Sequence, residues 1–467
     1  MDECTNGEFT NPGDIMRSKT SKHWKLDTAH WILFIAHCSL FIILALAGCG
    51  AQAPTLPTPT PTSSPLSPLP TPTLLPESQP MIITLGLWLP EELDPYGEGP
   101  AADVLAQQLT EFSHAHPDLQ VEVTVKKAYG RGGLLDFLRT ARAAAPSVLP
   151  DLIVLDAADL ETAAGSGLVQ PLDPLLAPAE MTDRFPFAAE LGTVGDQTLG
   201  LVVAADMQHM AYRPALLDSP PVSWMHVISP PVSFLFPAGG RDRQINDATL
   251  IQYLACGGQL TNPEGRPWLD EEVMVSVLGF YSDCTSIGPI SPTYHTPAIS
   301  PTVVLNITDA DQAWERFKAG EGEMTMVRAS RYWLEADETI AAASIPTRDG
   351  RPFSIARGWV VAMVANDPAR QSLATLLLEW LVSPDHSAQW TQTAGFLPGT
   401  RGALRLWDIS DADRAVLRNT MEAAVVAPPP EAMATTGRAM QEALEALLRR
   451  RVSPEDAAAA AGDILGQ

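Results

Sequence analysis

The chain has 467 residues, enough for two or three ordinary domains, and 46% of them are hydrophobic, which excludes a wholly disordered protein. Lys and Arg number 30 against 55 Asp and Glu, a net charge of −25. That balance argues against nucleic acid or an anionic membrane held through a basic face.

The first predicted element is an apolar run over residues 31–48, interrupted by His37, Cys38 and Ser39. Arg17, Lys19, Lys22 and Lys25 precede it, and the small residues Ala47 and Gly48 close it. This is the anatomy of a secretory signal segment. The acidic stretch 1–14 is unusual ahead of such a segment, which makes Met16 an alternative initiator. Leu46-Ala47-Gly48-Cys49 resembles the lipobox of bacterial lipoproteins. The resemblance implies cleavage before Cys49 and a lipid on its thiol. A plain membrane anchor is the rival reading, and both place the remainder outside the cytoplasm.

Ten prolines follow between Pro54 and Pro80. Such a segment forms neither helix nor ladder and favours extended polyproline II, with a reach of roughly 80 Å at ~3.1 Å per residue. A site for a proline-reading partner is the weaker alternative.

From Met81 the pattern alternates strand and helix. Residues 82–88 and 119–125 read as strands around a helix over 100–114 that Pro117 stops. A second helix is predicted over 134–145, a third strand over 151–155 and a helix near 159–165. Alternation of this kind implies parallel strands with right-handed crossovers, an α/β fold. Two later strands, 201–205 and 358–364, bracket a block rich in turns and helices. The tail 431–467 reads as two helices, the last capped by Ser453 with Pro454 at its first position.

Cys256 and Cys284 are the cysteines left beyond Cys49, each near the end of a predicted helix. A disulfide between them stays open. Antiparallel neighbouring helices would hold them about 20 Å apart by helix rise, so a bridge needs a crossed packing.

Several segments together resemble the extracellular solute-binding proteins of ABC importers, the family that includes maltose-binding protein. They are EFSHAHPDLQVEV (111–123), LPDLIVLDAADLETAAGSGLVQPLDPLL (149–176), LGLVVAADMQHMAYRPALL (199–217), VSWMHV (222–227), FKAGEGEMTMVRASRYW (317–333) and the long stretch from Ala356 to Thr400. The resemblance implies a two-lobe periplasmic-binding-protein-like fold of type II, with hinge segments and a ligand cleft between the lobes. The division expected is a signal peptide at 1–48, a lipidated Cys49 and linker at 49–80, lobe 1 at 81–205 and 346–382, and lobe 2 at 206–345 and 383–467.

No Gly-x-Ser-x-Gly, His-Glu-x-x-His, phosphate loop or Cys-x-x-Cys occurs in the chain. His114 and His116 point to different faces of a helix. No cofactor, metal or catalytic role is therefore expected. A sugar site needs aromatic rings for CH-rich faces and planar polar groups for hydroxyl pairs. The residues at strand ends that meet this need are Trp88, Asp156, Asp206, Gln208, Arg357, Gly358 and Trp359, with Asp159 beside Asp156. The resemblance implies a sugar-binding carboxylate at Asp206. It also puts Tyr332 and Trp333 near a stacking position, although Ser330 fills the best-aligned slot. The bland alternatives are a helix cap for the aspartates, an ion pair for Arg357 and core packing for the tryptophans. Trp224, Trp314, Trp380 and Trp390 are read as packing residues.

The function expected is a monomeric, lipid-anchored, extracytoplasmic binding protein. It would deliver a small polar solute, a carbohydrate first among them, to ABC permease subunits. A sensor lipoprotein without transport and, less favoured, a glycan-active enzyme are the alternatives.

Overall fold

The computed structural model describes residues 82–176, 182–286 and 297–467. Cys49, the signal segment and the proline-rich linker lie outside the described residues.

The strands, in chain order, are β1 (Ile83–Pro90), β2 (Leu119–Lys126), β3 (Leu152–Asp156), β4 (Thr193–Val194), β5 (Gln197–Thr198), β6 (Gly200–Tyr212), β7 (Phe234–Leu235), β8 (Met324–Arg328), β9 (Ala341–Ala343), β10 (Ser354–Met363) and β11 (Ala424–Val426). β4 and β5 form a small hairpin. The others build one sheet in the order β2-β1-β3-β10-β6-β8-β7, with β11 added to β10 and β9 to β6. β1 pairs in parallel with β2 and β3. Each is followed by a helix: Pro100–Ala115, Leu134–Ala144 and Ala157–Gly165. These are the alternating elements the apolar spacing predicts. Period-two burial sends Leu85, Leu87 and Leu89 to one face of the sheet and Trp88 to the other.

β6 is longer than the sequence suggests, because its apolar run continues through Met210 to Tyr212. Residues 200–207 pair antiparallel with β10, while 208–212 pair with β8 and 210–212 with β9. One unbroken strand therefore serves both lobes, and its partners change between Met207 and Gln208. β10 runs beside it, pairing with β3 at 359–363 and with β11 at 354–356. A third segment touches the crossing, where Ala205 and Leu397 exchange backbone bonds of 2.8 and 2.7 Å.

Two cores flank the first-lobe half of the sheet, a third lies in the second lobe around Phe236, Tyr253, Met274, Tyr281 and Leu444, and a smaller fourth lies there around Trp314, Phe317 and Tyr332. Trp224 stacks on Phe280 at 4.7 Å inside that third core, the packing role expected for it. The tail forms the helices Arg438–Leu448 and Pro454–Leu465, and Ser453 caps the latter by accepting the Asp456 N–H at 3.1 Å.

The terminal boundary differs from the expectation that 383–467 belong to lobe 2. The helix Pro384–Ala394 packs on Pro100–Ala115: the Gln108 amide donates to the His386 carbonyl (3.0 Å) and to Gln389 Oε1 (3.1 Å). Leu417 and Met421 of Asp411–Ala423 also enter a first-lobe core, and the chain reaches the second-lobe core at Val425 and Ala427 and is buried in it from Ala432. The amphipathic pattern marks an apolar face but carries no sign of which core receives it.

Cys256 and Cys284 are both free, so the bridge left open by the sequence does not form. Cys256 follows the helix Asp247–Ala255 and Cys284 ends Glu271–Cys284; burial pushes both thiols up from their ordinary pKa.

Candidate functional site

Where β6 changes partners, side chains from four segments converge. Trp359 on β10 stands opposite Asp156, the last residue of β3, and opposite Ala204 on β6. Tyr129, in the turn after β2, lays its ring 5.9 Å from that of Trp359 and donates its hydroxyl to Asp156 Oδ2 at 2.5 Å. The other Asp156 oxygen accepts the Ala158 N–H at 2.9 Å, so Asp156 also caps the helix it precedes. Shielding of its hydroxyl end and then the bond to Asp156 raise the Tyr129 phenol above its usual pKa. Tyr129 as a residue is nonetheless 57% exposed. Burial, and then the charge of Asp156, also raise Asp159.

Arg357 is the next outward residue of β10. Its guanidinium grips Asp247, the first residue of Asp247–Ala255, through two parallel bonds, Nη1 to Oδ2 at 2.8 Å and Nη2 to Oδ1 at 2.9 Å. The Gln208 amide donates to the same Asp247 Oδ2 at 3.0 Å. Burial pulls the Arg357 pKa down, but the attraction of Asp247, and after it Asp206 and Asp156, leaves it raised. Gly358 lies between Arg357 and Trp359. A β-carbon there would come within 2.6 Å of the Ala204 carbonyl oxygen and 3.3 Å of Ala205 Cα. Its place in the site is therefore to let β10 approach β6.

Asp206 enters the cluster with its carboxylate already engaged. Ser330 donates its hydroxyl to Oδ2 (2.6 Å) and its amide to Oδ1 (3.1 Å), and the Met207 N–H adds a third bond at 3.0 Å. Asp206 thereby caps the helix Ala329–Glu335 from outside it. Burial raises its pKa, and the two Ser330 bonds oppose the shift.

Two sequence candidates sit apart from this cluster. Trp88 is 4% exposed, with its ring 5.0 Å from Phe137 in the core that holds Leu134, Ile153 and Leu155. Trp359 belongs to the core that holds Leu152, Val154 and Val361. The two rings therefore occupy opposite faces of one sheet, because strand alternation gives position 88 the parity of 153 and 155. Tyr332 is buried among Trp314, His209 and Trp333, with its hydroxyl donated to the Ile340 carbonyl at 3.3 Å. It packs the second lobe and presents no open ring. The sequence reading missed Tyr129 and Asp247. An aromatic ahead of the Gly-Arg-Gly-Gly run was the available signal for Tyr129, whereas Asp247 reads only as a first-turn acid after the Asn246 cap.

Beside Tyr129 opens a cavity of about 550 Å³, lined also by Arg131, Asp136, Arg139 and Asp159. It adjoins the C-terminal ends of β2 and β3, the edge of an α/β sheet where ligands settle. The Gly132 N–H and then Arg139 hold the Asp136 carboxyl below its ordinary pKa.

A mixed α/β body of two lobes sharing crossing strands, with a polar and aromatic cluster at the crossing, is the architecture of a type II periplasmic-binding fold. Comparison with solved structures agrees. The cyclic α-maltosyl-1,6-maltose-binding protein of Arthrobacter globiformis matches with a TM-score of 0.63 at 17% identity, over 82% of this chain and 98% of that one. The sugar-binding protein MalE of Xanthomonas citri gives 0.63 at 19% identity, over 82% and 98%. An ABC transporter solute-binding protein of Thermotoga lettingae, bound to α-D-tagatose, gives 0.57 at 20% identity, over 82% and 100%. Comparison with curated protein sequences finds no match. The family model for bacterial extracellular solute-binding proteins matches residues 107–415. The chain belongs to that family, whose members are binding proteins that act outside the cytoplasm.

Proposed function

We propose that the protein is a lipid-anchored receptor that captures a small polar solute, foremost a carbohydrate, and hands it to the permease subunits of an ABC importer. The observation that carries this reading is the convergence of Tyr129, Asp156, Trp359 and Arg357 near the crossing, with Tyr129 also lining the cavity at the ends of β2 and β3. An exposed aromatic ring next to carboxylates and a guanidinium suits a ligand with apolar faces and vicinal hydroxyls. The sugar-binding relatives support the ligand class, and the lipobox at Cys49 supports the anchor. Closure of the lobes around the solute would create the surface that the permease reads.

A thermal-shift screen of the chain from Ser78 onward tests the ligand class. Sugars are expected to raise the melting temperature, since ligand that binds only the folded state stabilises it. Shifts with amino acids or polyamines but not with sugars would overturn it. For the anchor, Cys49→Ser is expected to abolish palmitate labelling, and continued labelling would refute lipidation there.

A further inference from the structure

We infer that Arg357 and Asp247 form a latch that holds the two lobes together when no ligand is bound. Arg357 stands on β10, whose neighbours Trp359 and Val361 pack in a first-lobe core. Asp247 begins a helix whose Leu250, Ile251 and Tyr253 are in the second-lobe core. Ile355, two residues before Arg357 on the same strand, is in that second-lobe core as well, so the fork ties β10, at the point where it passes from one core to the other, to a helix of the second lobe. Both terminal guanidinium nitrogens are engaged and Gln208 adds a third donor to the carboxylate. Such bidentate geometry fixes orientation as well as distance.

The surroundings give the guanidinium a second task. Asp156 at the end of β3, Asp206 on β6 and Asp247 on the helix all act on its charge. These three carboxylates come from three different elements. Arg357 offsets all three, and Arg328 also acts on Asp206 and Asp247. Without Arg357, closing the lobes would leave Arg328 alone against Asp206 and Asp247; without Asp247, only one attraction is lost. The side chains of Arg357 and Asp247 keep 48% and 22% of their exposure, so water and salt reach the pair. The latch is accordingly weak enough to yield and is screened by salt. It concerns the unliganded chain and does not depend on which solute is bound.

The test is the distance between spin labels, attached through non-natural residues at the exposed Glu111 and Glu272, in the full chain in detergent without ligand. Raising NaCl from 0.1 to 1 M is expected to increase the population at longer distance about two- to fivefold. Arg357→Gln should lengthen the distribution more than Asp247→Asn, and the exchange Asp247→Arg with Arg357→Asp should return it toward the parent. A distribution indifferent to salt and to both single substitutions, in chains of unaltered circular dichroism, would overturn the latch. If the variants do not fold, the salt titration of the unmodified chain decides alone.

Discussion

Arg357 stands directly opposite Asp206 in the β6–β10 pair, yet neither takes the other as its hydrogen-bond partner. Asp206 turns to Ser330 and Arg357 turns to Asp247. Opposite charges at facing positions would ordinarily attract. Here each is drawn off by the second lobe, so adjacent crossing strands are tied to two different helices of that lobe.

Asp206→Asn is expected to destabilise the protein by about 1–2 kcal/mol, measured by urea unfolding. The amide can accept from only one of the two Ser330 donors and brings a donor of its own into a buried place. Because the carboxylate is consumed as a cap, solute affinity should change less than threefold in titration calorimetry. A tenfold loss of affinity would return Asp206 to the ligand.

Gly358→Ala should cost about 1–3 kcal/mol, the usual penalty for overpacking. The cause is the Ala204 carbonyl oxygen 2.6 Å from the new methyl group. Hydrogen exchange should show the loss concentrated in 200–207 and 356–362, the two stretches that the added carbon would push apart.

Tyr129 separates platform from hydrogen bond. Tyr129→Ala is expected to weaken binding of the solute found by screening by about 10- to 30-fold, the equivalent of 1.4–2 kcal/mol of lost ring contact. Tyr129→Phe keeps the ring and loses only the bond to Asp156, and should cost under fivefold. Equal losses in the two variants would mean that the hydroxyl, and not the ring, meets the ligand.

His209 makes stability depend on pH. It is buried on β6, edge-on to Tyr332 and within the influence of Asp413, with its Nε2 lacking a partner, and burial lowers its pKa to about 4. Between that value and the 6.5 of an unfolded histidine, the unfolded chain binds the proton and the folded chain does not. Folding stability therefore falls as pH drops through this window, by about 3 kcal/mol in full. His209→Leu should flatten the difference between pH 7 and pH 4 by about that amount in chemical denaturation. An unchanged pH slope would show that His209 is not the source.

The elements before residue 166 were legible because each is short, amphipathic and punctuated. Pro117 and Pro150 stand at boundaries, and Leu105, Leu109 and Phe112 mark one helical face. The crossing strands were also legible, as apolar runs on either side of a block rich in turns and helices. Part of the site followed from them, since Asp156 ends β3, although Arg357 and Trp359, read as flanking the start of a strand, lie inside the longer β10. What failed was parity and reach. Nothing in the string LGLWLP fixes which face of the sheet Trp88 takes relative to Trp359, because that depends on register between strands far apart in sequence. Asp247 was hidden for a related reason: its role comes from a contact 110 positions away. Cys256 and Cys284 illustrate the same limit, since proximity in space is a property of packing and not of helix ends.

The way β6 is shared has a consequence for how the chain is built. Gly200–Tyr212 leaves the ribosome long before Ser354–Met363, and the first half of that strand has no lasting partner on its β10 side until the later strand arrives. A nascent chain halted just before β10 presents an open, apolar sheet edge along 200–207, while 208–212 already have β8 and β9 as partners. Such edges invite pairing with other chains, and contacts of long sequence separation form slowly. The first-lobe sheet can thus not be completed until the chain has passed through the second lobe and returned, and protection of that edge falls to whatever meets the chain on its way out.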